Sequence, residues 1–137
     1  MAQNEKDLLL KDLCARLPYG VICKDDYAKV EGKLVQIGIN YDMCLLSDDY
    51  GKTEFAYIPN CKPYLFPLSS MTEEQIQEYT YIVNYISSDD TENWVEGEFI
   101  YVEQFTQLMH FYHINHLDYM GLIPMELAID ATGKNIY

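Results

Sequence analysis

Between residues 21 and 58 the chain breaks into short β-textured segments at 21–23, 28–39, 43–46 and 53–58, and this rhythm constrains the fold more than any other feature. Val30, Leu34, Val35, Ile37 and Ile39 give the longest segment its aliphatic, largely β-branched character. Turn-forming residues separate the segments, at Asp25 and Asp26 and over 38–42 and 47–51. None of these connections can hold the roughly dozen residues of a parallel crossover, so the strands should pair as antiparallel hairpins.

Helical periodicity brackets this region. Leu8, Leu9, Leu13 and Leu17, with Leu10 and Cys14 alongside, predict a helix over 5–17, closed by Pro18 and Gly20. Pro59, Pro63 and Pro67 predict an extended crossing segment whose Tyr64, Leu65 and Phe66 pack onto the sheet. Thr72-Glu73-Glu74-Gln75 has the form of a capping box. The helix it opens should bury Ile76, Tyr79, Ile82, Val83 and Ile86 and end over 87–90. A third helix, over 102–116, turns Val102, Phe105, Met109 and Tyr112 to one face, and 127–130 alternates like a last strand returning to the sheet. The expectation is one α+β domain over 1–137. It has a small antiparallel sheet of three to five strands, with an N-terminal helix and two C-terminal helices packed on it.

Charge divides the same chain into two unequal halves. Residues 1–62 hold ten acids and eight bases, whereas 63–137 hold twelve acids and a single base, Lys134. Polyanions are held by Lys and Arg, so direct nucleic-acid binding and attachment to an anionic membrane are both disfavoured. No apolar run approaches the ~20 residues of a membrane span. The first seven residues lack the basic start and apolar core of a signal peptide. A cytoplasmic chain is therefore expected, with Cys14, Cys23, Cys44 and Cys61 as free thiols. The acidic half either keeps the chain soluble or presents a face to a basic protein partner.

Three phrases carry a resemblance. They are Lys11-Asp12-Leu13-Cys14-Ala15-Arg16-Leu17-Pro18-Tyr19-Gly20, Lys62-Pro63-Tyr64-Leu65-Phe66-Pro67-Leu68-Ser69-Ser70-Met71-Thr72-Glu73-Glu74, and Asn115-His116-Leu117-Asp118-Tyr119-Met120-Gly121-Leu122-Ile123. Together they are similar to a family of small acidic proteins from prophages and mobile elements of gut bacteria. The resemblance implies a genetic setting and carries no activity, cofactor or site with it. Members often carry an arginine where this chain has Met120, which implies that a role resting on that arginine is changed or lost here.

Two constellations compete as a site. His110, His113 and His116 fall within seven residues, with Asp118 just beyond. On a helix His110 and His113 lie about 300° apart and share a face, so imidazoles and a carboxylate could serve a metal-dependent enzyme or a metal-binding protein. Packing against Phe111, Tyr112 and Ile114, or capping the helix end, explains the same residues without a metal. The second constellation joins acids to tyrosines: eight of the thirteen tyrosines lie in the acidic half. Tyr81 and Tyr85 stand one turn apart beside Glu74 and Glu78, with Asp89, Asp90 and Glu92 following. Tyrosine gives large contact area at low entropy cost. Acid with exposed tyrosine therefore suits a non-enzymatic module, an inhibitor or nucleic-acid mimic, directed at a basic host or phage protein. No GxSxG, phosphate loop or GxGxxG occurs, and no cofactor is expected.

Overall fold

The computed structural model describes residues 1–84 and 102–137. Helix α1 spans Gln3–Arg16. Strands β1 (Ile22–Asp25), β2 (Val30–Gly38), β3 (Met43–Ser47) and β4 (Thr53–Tyr57) form an antiparallel meander. A 3-10 turn at Ile58–Asn60 leads into β5 (Cys61–Leu65), then come helices α2 (Glu73–Asn84) and α3 (Val102–Ile114) and the short β6 (Ile129–Asp130). The fold class is α+β, as the sequence implies.

The sheet is larger than the three to five strands expected, and it is mixed. Six strands run in the order β4-β3-β2-β1-β5-β6, with β5 and β6 parallel. The extra strand is the proline-rich segment, which joins the sheet instead of lying across it. Cys61, Lys62 and Pro63 pair with Asp25, Lys24 and Cys23 on β1. Pro63 is tolerated because β6 takes up only Tyr64 and Leu65 on the other side, so no ladder bond is asked of the missing N–H there.

The sheet coils strongly. Cys44 of β3 and Cys61 of β5 bring their sulfurs to 3.7 Å although β2 and β1 run between them. In a flat sheet those strands would be roughly 14 Å apart, three strand spacings. The bend is set where the β2–β3 register slips between Leu34 and Gln36. Gly32 allows the close approach beside it, since a Cβ there would sit 2.4 Å from the Ser47 carbonyl oxygen. Leu9 and Leu13 of α1 pack into the concave face with Val21, Leu34, Leu46 and Leu65. All four cysteines are free, Cys14 exposed and the others buried.

Helices α2 and α3 do not cover the sheet as expected. They build a second cluster of their own, Ile82, Leu108, Phe111 and Leu117, with Phe66 and Tyr79 at its edge. The capping box forms as read: the Gln75 N–H donates to Thr72 Oγ1, and the Thr72 N–H to Gln75 Oε1. Amide side chains then tie the helices at both ends. Gln75 Nε2 donates to Asn115 Oδ1, while buried Gln104 Nε2 donates to the Ile82 and Val83 carbonyls at the end of α2. Two face assignments need correcting. Ile76 is 48% exposed, and Phe105 is 53% exposed because α3 turns Gln104, Leu108 and Phe111 inward. Ile86 and the expected helix end over 87–90 lie outside the described residues.

Candidate functional site

The histidine segment leads first to a buried junction. Helix α3 ends in a left-handed residue, His116 (φ 54°), with the His116 N–H bonded to the His113 carbonyl and the Leu117 N–H to the Tyr112 carbonyl. That reversal sends 117–123 across the end of α1. There Arg16 and Asp12, both with fully buried side chains, meet Nε to Oδ2 at 2.9 Å. Arg16 Nη2 donates to the Leu117 carbonyl at 2.6 Å, and its guanidinium stands 5.2 Å from the Tyr119 ring centre. Asp118 accepts from the Leu122 and Ile123 N–H groups, and its own N–H donates to the Phe66 carbonyl. Arg16, Phe66 and Leu117 come one from each of the three phrases 11–20, 62–74 and 115–123. Those phrases therefore converge on a structural junction. Met120 packs partly buried against the main core.

Each histidine has its own neighbour. His110 Nδ1 lies 3.1 Å from the Tyr19 hydroxyl, and His113 Nε2 lies 2.7 Å from the Tyr119 hydroxyl. The His116 ring stacks on Tyr137 at 3.6 Å. The Tyr137 hydroxyl accepts from the Ile22 N–H and donates to the Tyr64 carbonyl, so this stack pins the chain's end to β1 and β5. Burial first, then the Arg16 charge, push both His113 and His116 down to about 4, with His110 adding to the effect on His113. Burial likewise raises Asp12, outweighing the pull of Arg16. Asp118 is spent on backbone N–H groups. Among the described residues no group of three or more His, Cys, Asp or Glu side chains is arranged to hold a metal ion.

The same segment also floors a groove. Helices α2 and α3 and the end of α1 enclose about 750 Å³, lined among others by Tyr19, Glu78, Tyr81, Phe105, Met109 and His110. Glu74, Glu78 and Tyr81 fall at i, i+4 and i+7, so they share one side of α2. Both glutamates are exposed, Tyr81 is 63% exposed, and Phe105 faces the same opening. No lysine or arginine lines it among the described residues. The described ion pairs all use acids before residue 63. The acids of α2 and Glu103 of α3 therefore keep uncompensated charge at this surface. The groove thus brings together members of both constellations, Glu78 and Tyr81 from one, His110 and His113 from the other. Tyr85, Asp89, Asp90 and Glu92 lie outside the described residues.

The sequence signal for this groove was incomplete. Tyr19 sits in the turn after α1 and gives no hint of it, and Phe105 and Met109 read as core. An apolar hollow also occurs on the outer sheet, where Tyr41, Met43, Leu45 and Phe55 surround about 510 Å³. No charged residue lines it among the described residues, so it has no comparable electrostatic sign. No helix among the described residues is long and apolar enough to cross a membrane. Comparison with family models, with curated proteins and with solved structures finds no match for the chain.

Proposed function

We propose that this chain is a non-enzymatic binding module of mobile-element origin whose acidic C-terminal half engages a basic host or phage protein, as an inhibitor or a mimic of nucleic-acid charge. The observation that carries this reading is the α2–α3 groove, an aromatic hollow with Glu78 on its wall, Glu74 one turn away on the same side of α2, and no lysine or arginine lining it among the described residues. Aromatic surface supplies contact energy, and uncompensated carboxylates speed encounter with a cationic surface and set its sign. A metal-dependent activity has less support, because His113, His116 and Asp118 are committed to Tyr119, Tyr137 and backbone N–H groups.

The test is capture from a gut-bacterial lysate at low and high salt, by the wild-type chain and by the Glu74→Lys/Glu78→Lys variant. A basic protein held at low salt, released steeply by added salt and lost on charge reversal is the expected result. Capture of the same proteins by the reversed variant would contradict the reading.

A further inference from the structure

We infer that the α2–α3 groove receives a basic amphipathic helix, with its apolar side chains against Tyr81, Phe105 and Met109 and its lysines or arginines over Glu74, Glu78 and Glu103. This rests on the reading of the chain as a module for a basic partner and specifies where and how that partner is held.

Three observations carry it. The groove runs between two antiparallel helices, a shape filled by a third helix laid alongside them. On α3 its lining extends from Phe105 to His113, roughly 12 Å at the rise of an α-helix and so about two turns of an occupant. Two turns present apolar anchors at i, i+3 or i+4, and i+7, and the hollow has room for several large side chains. An extended peptide instead needs an open sheet edge for its backbone N–H and C=O groups, and none lines the groove among the described residues.

Charge complementarity fixes the occupant's polar face. Exposed carboxylates stand on α2 at Glu74 and Glu78 and at the start of α3 at Glu103, and of these Glu78 lines the groove itself. A helix that buries apolar residues here must pass its flanking side chains over these acids, and basic flanks are favoured over acidic ones by the same field. The groove is also preorganised: the amide bonds of Gln75 and Gln104 fix both ends of the helix pair before any partner arrives.

A synthetic peptide of leucine and lysine, patterned as an amphipathic helix, serves as probe, alongside its scrambled isomer of identical composition. Both are titrated by calorimetry into the full chain and into the Phe105→Ala and Glu74→Lys/Glu78→Lys variants. Phe105 is exposed, so its truncation leaves the core intact, which circular dichroism checks. The patterned peptide should bind at least about tenfold more tightly than its isomer, and Phe105→Ala should remove about that factor, the scale of one anchoring aromatic. Charge reversal should weaken both peptides. Equal binding of the two peptides, unchanged by Phe105→Ala but weakened by charge reversal, would overturn the helix inference and leave the basic-partner reading standing. Binding that ignores charge reversal would overturn both.

Discussion

Arg16 and Asp12 show how one pair of residues can organise a fold while hiding in a sequence. The α1 stripe that reaches the core is Leu9, Asp12, Leu13 and Arg16, at i, i+3, i+4 and i+7, with charges at two of its four positions. An apolar count sees only the leucines, although an Asp–Arg pair one turn apart and in phase with them was the available signal. Arg16→Ala should cost about 3–5 kcal/mol in urea unfolding, because it strands a buried carboxylate. Replacing both partners by apolar residues should recover most of that loss. The histidines supply a pH prediction. Unfolded, each imidazole titrates near 6.5, while His113 and His116 hold out to about 4. Between those values the unfolded chain takes up protons that the folded chain refuses. Stability should therefore be full above about 6.5 and fall toward pH 4 by an amount on the order of 1–3 kcal/mol for each of the two histidines. His113→Gln should flatten that decline, and an identical profile in the variant would exclude His113 as its source.

At the scale of elements, local signals proved legible and long-range ones did not. The capping box at Thr72 was readable because its bonds close within four residues, and Thr72→Ala should lower stability by about 1 kcal/mol. The turn after α3 was hidden because a histidine, and not glycine, takes its left-handed position. Strand β5 was hidden by Pro63, whereas the alternation over 127–130 did announce β6, which forms as two residues, Ile129–Asp130. The inward face of α3 was misplaced because it includes Gln104, whose amide answers two carbonyls of α2. Gln104→Leu should therefore cost about 1–3 kcal/mol despite adding apolar surface, since those carbonyls lose their donor. Gly32→Ala is the sharper test of the coiled sheet. Its Cβ meets the Ser47 backbone, so β2 and β3 must separate, and a fall in melting temperature without a new fold is expected.

Over the whole molecule, charge and aromatic surface follow different divisions of the chain. The first 62 residues build the sheet and nearly balance their charge, whereas the remaining 75 carry eleven of the thirteen net negative charges. The asymmetry was plain in the sequence, but the groove that Glu78 lines was not, because Tyr19, Phe105 and Met109 gave no sign of facing one opening. The most direct measurement follows backbone amide shifts while the patterned leucine–lysine peptide is titrated into isotope-labelled protein. The largest changes are expected at Glu78, Tyr81, Phe105 and Met109, diminishing as salt is added. Changes centred on Tyr41, Phe55 and Tyr57 of the outer sheet, with α2 and α3 unmoved, would contradict the account.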